Sequence, residues 1–318
     1  MIKSISRLVR IPNLAMVFLS MYLMRWSIVL PILDLMGFEM QMPEFTFFLL
    51  VLSTVCITAA GNVINDYHDV SVDRFNQPDR VVIDKFIGRR SAIILHFALN
   101  SVGIILGVYV SFYHHLFWLS PIFIIVPVGL WLYSTIYKHR VFVGNFLISV
   151  VTAMVPLLVV LFEYPLICRV NQDVLIEFPD MFHPILYWVG LFAAFAFVTN
   201  LIREIIKDAE DIEGDKEVGS KTIAVVYGLK VSNILALILV LVSLIGLALI
   251  FILFLRDWLS LTYFVVFLAL PLIILFVQLL RVKDSKGYRR LNHLTQIIML
   301  AGLVYAPIAY FIMNIVLI

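Results

Sequence analysis

Two short stretches of an otherwise apolar chain carry carboxylates at helical spacing. Between Gly61 and Arg80, Asn65, Asp66, Asp69 and Asp73 recur at steps of three and four; between Arg203 and Thr222, Asp208, Asp211 and Asp215 do the same. An α-helix turns about 100° per residue, so such steps place oxygens on one face. Stacked carboxylates repel one another unless a counter-charge lies among them, and an oxygen-only donor set suits a hard ion such as Mg²⁺. All of these residues are therefore candidate metal ligands, with Asp66, Asp69, Asp208 and Asp211 as candidate catalytic members. Two such clusters facing each other would clamp one diphosphate from both sides. If the group it carries is allylic, neutralising the diphosphate lets the carbon–oxygen bond ionise, and an acceptor attacks the cation. Lys138, Arg203, Lys207 and Lys221 lie near the same ends and are candidates for holding phosphate oxygens or a charged acceptor.

The scaffold that must position these groups is a membrane one. Hydrophobic residues make up 63% of the 318, against about half in soluble domains, and mean hydropathy is +1.04. Stretches long enough to cross a bilayer core of about 30 Å fall at 12–36, 45–69, 91–111, 117–137, 141–163, 184–205, 230–255, 259–281 and 293–316. This predicts an all-α integral membrane protein: nine transmembrane helices bundled around a central cavity, two four-helix halves plus a ninth, in one domain over 1–318. Met1 to Arg10 is basic and leads into a run too long for a signal peptide, so the first span is expected to be uncleaved. Lys and Arg concentrate in alternate connectors, which predicts a cytoplasmic N-terminus, cytoplasmic active-site loops and an external C-terminus. The connector at 164–183 is expected to be a solvated outer cap, with Cys168 in that loop. A formal net charge of +2 gives no sign of a nucleic-acid partner, and no obligatory protein partner is evident. Cys56 and Cys168 have no metal or disulfide spacing.

The clusters also carry a resemblance. NDxxDxxxD at Asn65, Asp66, Asp69 and Asp73, with DxxDxxxD at Asp208, Asp211 and Asp215, resembles the two motifs of the UbiA superfamily of intramembrane prenyltransferases over essentially the whole chain. Within it, INDYxDxxxDxxNxPxR from Ile64 to Arg80, followed by REIxKDxEDxEGDxxxGxxT from Arg203 to Thr222, is especially similar to the archaeal-type enzymes that make ether lipids. The resemblance implies Mg²⁺-dependent transfer of a geranylgeranyl-type group from its diphosphate to the hydroxyl of a prenylated glycerol phosphate. Arg80, Lys138, Arg203 and Lys207 would suit that phosphate. Tyr133 with Lys138, Gly144 with Asn145, and Arg10, Pro12 and Asn13 resemble further family segments, which makes Tyr133 and Asn13 substrate-contact candidates; for Tyr133 an interfacial anchor is the alternative. After Arg80, many members continue Pro-Leu-Pro-Ser-Gly, where this chain has Val81, Val82, Ile83, Asp84 and Lys85.

Other readings stay open at this point. An aromatic acceptor, as in quinone-forming relatives, needs the same metal chemistry. A cation-coupled transporter would also use acidic clusters, although transporters tend to place ionisable groups near the midplane. Gly214, Gly219, Lys221 and Thr222 approach a phosphate-binding loop, but Ser220 intervenes and no strand precedes them. Arg25, inside the first span, is either paired to a neighbouring helix, snorkelling or functional.

Overall fold

A computed structural model describes residues 2–76 and 81–315. Among them, nine helices are long and apolar enough to cross a membrane: Ile11–Met36, Glu44–Phe75, Arg89–Tyr113, Phe117–Thr135, Val143–Val170, His183–Glu210, Ile223–Leu255, Trp258–Leu279 and Ser285–Asn314. The chain is thus an all-helical, multi-pass membrane protein. An isolated bridge between Ile83 and Ile87 is the one strand-like feature of the described residues.

Several helices outrun their apolar stretches. The second continues to Phe75 and the sixth to Glu210, while the ninth starts at Ser285, a full two turns before the expected 293. Hydropathy falls where polar side chains begin, but here those side chains line an internal cavity, so the backbone has no reason to leave the helix. The fifth span likewise runs on to Val170 and carries Cys168, and a short helix, Gln172–Glu177, follows. The expected 164–183 loop is therefore mostly helical. Leu166 and Ile167 are buried, which keeps the last turns packed, and Asn171 Nδ2 donates to Ile167 O at 3.0 Å to close the end.

Arg25 is paired rather than snorkelling. It sits in a π-helical stretch, Met24–Val29, two residues before Pro31, whose missing N–H and ring favour a widened turn. Its guanidinium donates to Met42 O at 2.5 Å, to Glu44 at 3.2 Å and to Glu163 at 3.4 Å, and it lies over the Phe47 ring at 4.4 Å. Glu163, 1% exposed, also accepts from the backbone N–H groups of Gln41 and Met42. A charge at this depth is costly alone; here each is matched, and the first, second and fifth spans are tied together.

At the opposite end a separate apolar cluster joins Leu8 of the N-terminal helix Ile2–Leu8 to Val63 and Val70 of the second span and to Val81, Val82 and Ile83. The departure from Pro-Leu-Pro-Ser-Gly therefore supplies apolar contacts that seat the N-terminal helix. Arg10 joins that helix to the first span with a left-handed φ of 55°, and Asn62 Nδ2 donates to Val9 O at 2.9 Å.

Candidate active site

A cavity of about 830 Å³ opens among the ends of the first, second, fourth, sixth and ninth spans. Asp66, Asp69 and Asp73 reach it from the second span, one helical face as their spacing predicts. Asp208, Asp211 and Asp215 reach it from the other side, but not on one continuous helix. The sixth span ends at Glu210, Asp211 takes non-helical angles (φ −93°, ψ 7°), and Asp215 belongs to the next helix, Ile212–Glu217. The spacing still works because the hydrogen-bond ladder crosses the break: Asp211 N–H donates to Lys207 O at 2.9 Å and Asp215 N–H to Asp211 O at 3.0 Å. Gly219, at φ +72°, then turns the chain back, a conformation glycine tolerates.

Most of the acids already have cationic or amide partners. Arg10 bonds Asp66 at 2.5 Å. Lys138 pairs with Asp69, and Asn65 Nδ2 donates to the same Asp69 oxygen at 2.7 Å. Asn145 Nδ2 donates to Asp208 at 2.8 Å, and Arg203 binds Glu204 at 2.6 Å. Burial alone would depress the Lys138 ammonium, but Asp69, Tyr133 and Asp73 together more than offset it and the net shift is upward. Burial pushes the Asp211 carboxyl up to about 6, against the opposing charge of Lys207. Asp215 is raised by burial too, with Lys138 and Lys207 opposing.

Lys138 is placed by backbone contact. It lies in the turn Tyr137–His139 after the fourth span, and a Cβ at Gly144 would meet Tyr137 O at 2.7 Å and Lys138 Cα at 3.0 Å. Only glycine lets the fifth span approach this turn. The turn also docks the second cluster: Lys221 N–H donates to His139 O at 3.0 Å, and His139 Nδ1 meets Ser220 Oγ at 2.7 Å.

The residues present suit a hard divalent cation. Asn65 Oδ1 and Asp69 Oδ1 are buried oxygens with no hydrogen-bond partner, a costly condition unless a ligand satisfies them. As the side chains stand, no three acidic or histidine groups among the described residues close around one point; Arg10 and Lys138 carry the counter-charge there.

Of the other sequence candidates, Asn13, Tyr133, Arg203 and Lys207 line the cavity. Lys221 does not; its side chain is exposed, and its backbone makes the contact described above. Arg80 lies outside the described residues. Sequence reasoning missed Glu204 and Glu210, and above all Arg289, Asn292, His293 and Gln296 of the ninth span. Their i, i+3, i+4, i+7 spacing is a polar helix face, the signal that would have found them.

The chain is similar to known proteins. The digeranylgeranylglyceryl phosphate synthase of Methanosphaera stadtmanae is 31% identical over 193 residues, 60% of this chain and 62% of that protein. That of Methanothermobacter thermautotrophicus is 30% identical over 212 residues, 65% of this chain and 66% of the relative. The chain thus matches somewhat under two thirds of these relatives' length. Among solved structures, a digeranylgeranylglyceryl phosphate synthase in membranes superposes with a TM-score of 0.60 at 23% identity, covering 96% of this chain and 98% of the other. A UbiA homolog from Archaeoglobus fulgidus bound to GPP and Mg²⁺ gives 0.53 at 16%, covering 95% and 98%. These structural likenesses establish the fold. The model of the UbiA prenyltransferase family matches residues 28–297, and the chain belongs to that family.

Proposed function

We propose that this protein is a Mg²⁺-dependent prenyltransferase that joins a geranylgeranyl-type chain from its diphosphate to the free hydroxyl of a prenylated glycerol phosphate, forming an ether lipid. The observation that carries the reading is that Asp66, Asp69 and Asp73 line one cavity with Asp208, Asp211 and Asp215, while Asp69 and Asn65, which lies one turn before it outside the lining, each keep a buried oxygen without a hydrogen-bond partner. Relatives about 30% identical are digeranylgeranylglyceryl phosphate synthases, and a homologue of the same fold binds GPP and Mg²⁺, which supports it.

In this reading Asn65, Asp66, Asp69 and Asp73 on one side, and Asp208, Asp211 and Asp215 on the other, would hold Mg²⁺. When bound, Mg²⁺ neutralises the diphosphate as a leaving group. Asp66 and Asp69 would exchange a cationic partner for a metal one, which frees Arg10 and Lys138 to donate to diphosphate oxygens. Lys207 faces the same space, and Asn145 keeps Asp208 oriented. The allylic carbon–oxygen bond breaks with its electron pair leaving on the diphosphate. The acceptor hydroxyl oxygen forms the new bond to that carbon, and its proton passes to the departing diphosphate. Tyr133, 7% exposed, lines the cavity with an aromatic ring suited to a nearby cation.

The direct test is the mass of the lipid formed from geranylgeranyl diphosphate with a panel of acceptors, with Mg²⁺ and after exhaustive chelation. The expected product is the diprenylated glycerol phosphate, lost on chelation and restored by added Mg²⁺. Transfer only to a hydroxybenzoate or dihydroxynaphthoate would replace the ether-lipid reading with a quinone-forming one, and full activity after chelation would sink the metal mechanism.

The distribution of basic residues further supports a cytoplasmic N-terminus and cavity mouth and an external C-terminus. A reporter inserted near Gln172 is expected to read external. A cytoplasmic reading would reverse the orientation.

A further inference from the structure

We propose that the first turns of the ninth span form the acceptor subsite, in which Arg289, Asn292, His293 and Gln296 hold a lipid headgroup bearing a phosphate beside a free hydroxyl. This rests on the prenyltransferase reading and specifies where its second substrate docks.

The wall differs from the rest of the cavity. The second span brings carboxylates and the sixth mixes carboxylates with Arg203 and Lys207, whereas this face brings a guanidinium, two amides and an imidazole and no carboxylate of its own, a set rich in donors to an oxyanion. It is also built. Glu210, 5% exposed, accepts from Arg289 Nε at 2.9 Å and from Asn292 Nδ2 at 3.0 Å. Ser285 Oγ donates to Glu210 O at 3.0 Å, which fixes the start of the ninth span against the end of the sixth.

Two consequences follow from that carboxylate. It engages Arg289 through Nε, so the two terminal nitrogens, without a partner among the described residues, keep the fork that matches a phosphate. An ionised carboxylate only accepts, so the Asn292 amide must turn its nitrogen toward Glu210. Its oxygen is then fixed as an acceptor, and Asn292 Oδ1 is buried with no partner. A fork for an anion and an orphaned acceptor three residues away on one helix face together ask for a ligand that combines phosphate oxygens with a hydroxyl donor. A prenyl diphosphate has no hydroxyl to give; a glycerol phosphate lipid has one.

The test is equilibrium binding to the purified full-length protein with Mg²⁺ present and no donor. The probes are a radiolabelled prenylglycerol phosphate and the same lipid without its phosphate, measured on the parent, Arg289→Gln, Arg289→Lys and Asn292→Ala. The parent is expected to bind the phosphorylated lipid about tenfold or more tightly than the other, as a charge-assisted fork implies. Arg289→Gln should erase that preference, and Arg289→Lys, which keeps the charge beside Glu210 and loses the fork, should restore part of it. Asn292→Ala should weaken both lipids alike. Binding of a prenyl diphosphate, measured the same way, should stay within about twofold throughout, in keeping with separate partners for the two substrates. Equal weakening of diphosphate and lipid in Arg289→Gln would show that Arg289 grips the donor, and absence of any phosphate preference in the parent would overturn the inference outright. If the enzyme prenylates only aromatic acceptors, the proposed function fails, and this binding measurement still decides the subsite.

Discussion

Asp69→Ala and Asp211→Ala are each expected to cut prenyl transfer by about 10³-fold or more, equivalent to roughly 4 kcal/mol or more on the barrier. Asp69 is 4% exposed, holds Lys138 and Asn65, and has one oxygen with no other partner. Asp211 stands at the junction between two helices and lines the cavity. Deleting Asp69 strands a buried ammonium, which destabilises the fold as well, so Asp69→Asn serves as the isosteric companion. Both variants should keep the parent's helical circular dichroism. The two positions act on one diphosphate, so the double variant should be scarcely worse than either single one. Turnover in the double variant within about tenfold of the parent, only ~1.4 kcal/mol on the barrier, would show that the clusters are not catalytic.

Lys138→Met is expected to lower turnover by about 10²–10³-fold, the usual loss when one preorganised charge at a developing anion is removed, with the donor KM rising as well. Gly144→Ala should give a milder form of the same defect. Its added methyl would press on the backbone of Tyr137 and Lys138 at 2.7 to 3.0 Å, and a displacement approaching 1 Å at a positioned group can cost about 10²-fold. Steady-state kinetics with each substrate varied checks both. A Gly144→Ala enzyme with the parent's kcat and donor KM would mean that the Lys138 turn tolerates being pushed and is not a positioned element.

The nine spans were legible because a bilayer imposes length and apolarity on every one of them. Their ends were not. Arg289 and Asn292 lie before the point where hydropathy rises in the ninth span, so an apolar window starting at 293 cut away half of a functional face. The carboxylates were legible because their repeat is local. The cations that answer them were less so: Lys138 and Asp69 are 69 residues apart, Arg289 and Glu210 are 79 apart, and only the bundle brings them together. The break at Asp211 leaves no trace in the spacing, since the ladder of hydrogen bonds preserves the repeat across it. Gly144 could be matched to a family pattern, but its reason, a backbone passing too close for a side chain, is visible only in three dimensions.

The Arg25 network bears on how the chain is made. Arg25 and the N–H groups of Gln41 and Met42 emerge during synthesis long before Glu163, which lies 138 residues after Arg25. A nascent chain that has delivered only four helices to the bilayer carries a mid-span guanidinium with half-exposed Glu44 as its one anionic partner among the described residues of those helices, and two backbone donors still waiting for an acceptor. An Arg at the centre of a span is disfavoured by about 2.5–3.5 kcal/mol on insertion scales. The fifth helix therefore acts as the keystone of biogenesis: its arrival neutralises the first.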